Sequence, residues 1–134
     1  MEAAAVFFGG GLGALCRWVL TAAGGKAIAG AGLQQDAVAL VTLAINALGC
    51  LAMGFAYGVF ARTAPAPGLR LLVATGFLGG FTTFSTYALE LVTALREGRP
   101  AAAVAIAVAA NLGGILLVAF GIALGDSAAR AFRW

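Results

Sequence analysis

The chain reads as long apolar runs separated by short polar breaks. From about 3 to 23, 37 to 61, 71 to 95 and 101 to 124 the residues are nearly all apolar or small. Each run has the roughly 20 residues a helix needs to cross a bilayer. The pattern predicts an all-α integral membrane protein with four transmembrane helices in one domain. Polar residues collect in the connections: Lys26, Gln34, Gln35 and Asp36 in a loop from Gly24 to Asp36, then Pro65, Pro67 and Gly68 between Arg62 and Arg70, then the turn Arg96-Glu97-Gly98-Arg99-Pro100. A tail from Asp126 to Trp134, with Arg130 and Arg133, is expected to lie on the membrane surface.

Small residues recur four apart within the runs, at Gly9/Gly13, Gly10/Ala14 and Gly54/Gly58, and the fourth run carries Gly113, Gly114, Gly121 and Gly125. In a bilayer this spacing lets helix backbones approach closely. The third run is different. Its segment Gly76-Phe77-Leu78-Gly79-Gly80-Phe81-Thr82-Thr83-Phe84-Ser85-Thr86-Tyr87 combines glycines, which cost backbone entropy, with threonines, whose hydroxyls compete for backbone hydrogen bonds. A break in the helix near Gly79 to Thr83 is expected. Lipid cannot satisfy the carbonyls a break releases, so protein or a water-filled cavity must surround it, and such carbonyls can hold a cation.

Helical spacing places Thr82, Thr86 and Glu90 on one face with Thr83 and Ser85 beside it, while Phe77, Phe81, Phe84 and Tyr87 or Ala88 line another. Hydroxyls bonding back to their own helix and aromatic core packing would account for any one of these residues. The density of the cluster points to a site.

Composition narrows the class. With 134 residues, 63% hydrophobic, 10% charged and a mean hydropathy of +1.04, the chain leaves room for short loops and no extramembrane domain. Soluble domains are typically about 25% charged. There is no histidine, and Cys16 and Cys50 sit in separate apolar runs, so neither a metal cluster nor a disulfide framework is indicated, and no residue set suggests an enzyme. The net charge of +3 is scattered, unlike a nucleic-acid surface. The first run lacks a preceding basic segment and is interrupted by Arg17, which favours a retained span over a secretory signal.

Arg17, Asn46 and Asn111 also stand inside the apolar runs. Arg17, beside Trp18, must snorkel, pair, or face a watery vestibule where it would draw anions. Asn46 lies one turn from Thr42, with Gly49 and Met53 continuing the face, and either bonds across helices or donates to a passing anion. Asn111 is the clearly polar side chain of the fourth run. With the N-terminus inside, Arg62, Arg70, Arg130 and Arg133 fall on one side and Arg17, Lys26, Arg96 and Arg99 on the other, an even split of the 8 basic residues. The positive-inside rule then has nothing to act on, and the chain carries no internal repeat, so two opposed copies forming an antiparallel homodimer follow naturally.

The third-run motif resembles the signature of the Fluc (CrcB-type) fluoride channels, small four-span proteins that work as antiparallel dimers. Gly13-Ala14-Leu15-Cys16-Arg17-Trp18 and Asn46-Ala47-Leu48-Gly49 resemble two further marks of that family. The resemblance implies passive fluoride export across the cell (inner) membrane, with Asn46 as the pore asparagine, Phe84 and Tyr87 at the two aromatic-box positions, and Arg17 at the end of the first span. Thr42, Thr83, Ser85 and Thr86 would add donors, and Glu90 occupies a position that is acidic in the family too. It also implies a central sodium ion at the dimer interface, held by the carbonyls of Gly79 and Thr82. The chain departs from the family at Tyr87, usually phenylalanine, and at Ala107 and Asn111, where a tyrosine and a hydroxyl residue are common. A small multidrug-type proton-coupled exporter shares the size and dual topology but places a carboxylate in its first span, and the run from Ala3 to Ala23 has none.

Overall fold

The computed structural model describes residues 1–32 and 37–131 as helices joined by short turns. Helix α1 spans Glu2–Gly30 and α2 spans Ala37–Thr63. The third rod starts with α3 (Pro67–Arg70), continues as a π-helical stretch over Leu71–Leu78 and a final turn α4 (Gly79–Phe81), then resumes after two residues as α5 (Phe84–Arg96). The last rod runs from α6 (Pro100–Val108) through a π-helical stretch at Ala109–Gly113 into α7 (Gly114–Ala131). Proline opens both α3 and α6, where its missing N–H would be unbonded anyway.

The buried apolar cluster is small: Val41, Ile45 and Phe81, with Ile28 against it. Large apolar side chains such as Phe7, Phe8, Trp18, Ile115 and Leu116 instead point outward. That arrangement suits a bilayer, where lipid solvates apolar side chains and helices associate through close backbone contact. Among the described residues three helices, Glu2–Ile28, Ala37–Thr63 and Pro100–Ala131, are long and apolar enough to cross a membrane. The third rod is divided in two, its first half apolar and α5 more polar, with Ser85, Thr86, Glu90 and Thr93 along it.

The glycines make the contacts. Along the α1 crossing with the third rod, a methyl group on Gly76 would come 3.0 Å from the Gly9 Cα, while Gly13 and Gly80 face the backbone carbonyls of Phe77 and Gly10. The α2–α7 crossing is built the same way: a methyl on Gly58 would lie 2.8 Å from the Asp126 amide nitrogen, and one on Gly121 would lie 2.9 Å from that of Phe55. At the end of this crossing Arg62 and Asp126 form an ion pair at 3.2 Å.

Two expected connections differ. The loop expected from Gly24 is helical as far as Gly30, because interspersed alanines carry the helix on and Gly24 packs against Val41, where a methyl would meet the valine Cγ2 at 3.0 Å. The segment from Asp126, set apart as a tail by the sequence, continues α7 as helix to Ala131. Gln34, Gln35, Asp36 and Arg133 lie outside the described residues.

Candidate functional site

Helical backbone stops at Phe81. Thr82 has φ −86° and ψ 159°, and Thr83 has φ −146° and ψ 118°, so both β-branched residues are extended between α4 and α5. A break inside a membrane must find partners for the backbone groups it releases. Asn46 on α2 supplies two of them: its Nδ2 donates to the Thr83 carbonyl at 2.9 Å, and its Oδ1 accepts from the Thr83 N–H at 2.9 Å. The Arg17 Nε on α1 donates to the Gly80 carbonyl at 3.1 Å, so this half-buried side chain has a backbone partner at the break. Gly49, one turn after Asn46, is where Thr82 fits, since a side chain there would occupy the position of the threonine methyl.

Thr83 also caps α5. Its hydroxyl accepts from the Thr86 N–H at 3.3 Å and shares a hydrogen bond with the Thr86 hydroxyl at 3.0 Å. These substitutions of partner have a consequence for two carbonyls, each four residues before its donor. In a continuous helix the Thr83 N–H would bond the Gly79 carbonyl, and the Thr86 N–H would bond the Thr82 carbonyl. Both donors are turned to side chains instead.

A cavity of about 300 Å³ opens beside the break, lined by Asn46, Thr82, Thr83, Phe84, Tyr87 and Asn111, among others. The rings of Phe84 and Tyr87 sit 5.6 Å apart at 56°, and Phe84 is 78% exposed. Phe77 and Phe81, on the other side of the break, form a separate stacked pair at 5.9 Å. A second cavity of about 290 Å³ takes Thr86 and Glu90 together with Thr93 and Arg99. Thr42, 3% exposed, donates to Glu90 Oε1 at 2.6 Å, and among the described residues Oε2 is buried without a hydrogen-bond partner.

The sequence-predicted residues therefore fall into two groups. Asn46, Thr82, Thr83, Phe84 and Tyr87 meet at the first cavity, and Thr86 and Glu90 line the second, with Thr42 bonded to Glu90. Ser85 is exposed and reaches Thr83 at 3.4 Å, Gly79 is exposed at the start of α4, and Arg17 reaches Gly80 from the α1 side. The stripe of Thr82, Thr86 and Glu90 is not continuous, because Thr82 lies outside the helix that would give it that spacing. Asn111 joins the first cavity by bonding Tyr87, a pairing no spacing along the chain reveals.

A bundle of long apolar helices held by glycine crossings, with a polar break whose backbone groups bond side chains of the neighbouring helices, defines an integral membrane protein. Residues 4–122 match the family described as "CrcB-like protein, Camphor Resistance (CrcB)", and the chain belongs to that family. It is 44% identical over 119 residues, 88% of each chain, to the "Fluoride-specific ion channel FluC" of Burkholderia vietnamiensis (strain G4 / LMG 22486), and to the same degree to that of Burkholderia cenocepacia (strain HI2424). A protein of the same name from Serratia proteamaculans (strain 568) is 42% identical over 96 residues, 71% of this chain and 70% of that one.

Proposed function

We propose that the chain is a fluoride channel that lets the ion leave the cell passively through the cell membrane, as an antiparallel, dual-topology homodimer. The observation that carries this reading is the cavity beside the break: its described lining offers the donors of Asn46, Thr83 and Tyr87 and no carboxylate. The names of the relatives agree with it. Fluoride is small, accepts hydrogen bonds strongly and is costly to dehydrate, so a constriction rich in donors suits it. Asn46 spends one Nδ2 hydrogen on Thr83 and keeps the other for an anion. The positive edges of the Phe84 and Tyr87 rings face an anion favourably.

Thr42, Thr86 and Glu90 form the other end of the path, where the Thr42 hydroxyl holds the Glu90 carboxyl in place. Ser85 adds a hydroxyl beside Thr83. Arg17 fixes the break through Gly80 and adds positive charge near it. The carbonyls of Gly79 and Thr82 fit a sodium ion, since hard oxygen donors suit hard cations and the helical donors of both are engaged elsewhere. A bound sodium would supply fixed positive charge beside the anion path.

Efflux from proteoliposomes under a potassium-valinomycin clamp, followed with a fluoride electrode, tests the proposal. Fluoride should leave without a proton gradient and chloride should stay. Comparable chloride flux, or fluoride movement that demands a proton gradient, would overturn it.

A further inference from the structure

We infer that Asn111 fixes the polarity of the Tyr87 hydroxyl and thereby makes it a hydrogen-bond donor to the anion in the cavity beside the break. The inference rests on the fluoride reading above and adds a positioning residue to it. Asn111 Nδ2 lies 2.8 Å from the Ala107 carbonyl, one turn back on its own rod, and 2.8 Å from the Tyr87 hydroxyl. The amide cannot be turned round: with Oδ1 in that place, two carbonyl-type acceptors would face each other at hydrogen-bond distance, so the NH₂ group is held there. One of its hydrogens goes to Ala107 and the other to Tyr87.

A phenol oxygen that accepts from an amide must send its own proton elsewhere. Tyr87 lines the cavity of about 300 Å³ together with Asn46 and Thr83, and among the described residues its hydroxyl accepts from Asn111 and donates to no protein atom. Packing against the Phe84 ring at 5.6 Å limits where the hydroxyl can swing. The proton is therefore offered to the cavity, where a small, strongly accepting anion is the ligand that takes it. Without Asn111 the hydroxyl is free to donate to protein oxygens on the neighbouring rod, and its proton is no longer committed to the anion.

The experiment is fluoride efflux from liposomes holding the full-length protein, for the unaltered chain, Tyr87→Phe, Asn111→Leu and the double variant. Loss of one donor to an ion should slow Tyr87→Phe about tenfold. Asn111→Leu should slow it by about threefold, and the double variant should be no slower than Tyr87→Phe alone, a non-additivity that marks residues acting as a unit. Asn111→Ser, whose hydroxyl bonds back to its own helix and does not reach Tyr87, should match the leucine variant and serves if that one does not assemble. Unchanged flux in Tyr87→Phe, or losses that simply add, would overturn the inference and leave the channel reading standing. An unaltered chain that moves no fluoride would overturn both.

Discussion

The Asn46 side chain pairs with the Thr83 backbone through two hydrogen bonds of 2.9 Å, one in each direction, as a neighbouring strand would. A single amide on α2 thus satisfies both main-chain groups of the residue at the centre of the break. The two readings of Asn46 drawn from the sequence, cross-helix bonding and donation to an anion, are compatible, because the amide carries two hydrogens and the Thr83 carbonyl takes one.

Asn46→Asp should remove fluoride flux and loosen the fold together. Aspartate still accepts from the Thr83 N–H, but the Thr83 carbonyl loses its donor and the free hydrogen offered to the anion disappears. An orphaned buried carbonyl costs about 1–3 kcal/mol. Thermal unfolding in detergent should drop, and liposome efflux should fall to background. An aspartate variant that is as stable as the parent and conducts normally would remove Asn46 from both roles.

The glycine crossings predict a sharp contrast between neighbours on α1. Gly11 has nothing within 4 Å of an added methyl, whereas a methyl on Gly9 would lie 2.9 Å from the Phe77 amide nitrogen. Gly11→Ala should leave assembly unaltered or slightly improved, since alanine favours helix by about 1 kcal/mol. Gly9→Ala pushes against backbone that cannot turn aside and should cost about 1–3 kcal/mol or more. Size-exclusion profiles of the two variants, purified side by side, check this. Indistinguishable profiles and melting temperatures would contradict the packing.

The even split of basic residues predicts opposed insertion. A single cysteine at the exposed Ala66, in a chain whose native cysteines are replaced, should react with an impermeant thiol reagent from both sides of the membrane. About half of the protein should label from each side if insertion is undirected. Labelling from one side alone would rule out dual topology. Adding two lysines beside Ala66 should then bias the labelling to one face.

The long apolar helices and their glycine spacing were readable because membrane helices are long and their contacts repeat every four residues. The break was readable too, from the clustering of Gly79, Gly80, Thr82 and Thr83. What could not be read was which side chains meet across it. Helical spacing was carried straight through Thr82 and Thr83, where the backbone is extended, so it joined Thr82 to Thr86 and Glu90, which line a different cavity. The Asn111–Tyr87 and Arg17–Gly80 bonds span 24 and 63 positions, and no local pattern encodes such distances. The extension of α1 to Gly30 was hidden by glycines that mark a loop in isolation, of which Gly24 makes a close approach to Val41 in the fold.

The cap on α5 ties the shape of the break to the proposed sodium site. The Thr83 hydroxyl takes the Thr86 N–H, the donor that a regular helix would give to the Thr82 carbonyl. Thr83→Val keeps the shape of the side chain and removes the oxygen. The Thr86 N–H must then find another acceptor, and the Thr82 carbonyl is the one that helix geometry offers. Losing the cap costs about 1 kcal/mol, which is about a fivefold change in an equilibrium. If the Thr82 carbonyl holds sodium, the variant should need roughly fivefold more sodium to reach half-maximal fluoride efflux, because helix and ion now compete for one oxygen. The measurement is efflux across a sodium series, with a large organic cation keeping ionic strength constant, for the parent and Thr83→Val. Thr83→Ser retains the hydroxyl and should restore the parent's sodium dependence. A valine variant whose flux falls equally at every sodium concentration would assign the hydroxyl to the anion path and not to the carbonyl that the cap leaves available for the ion.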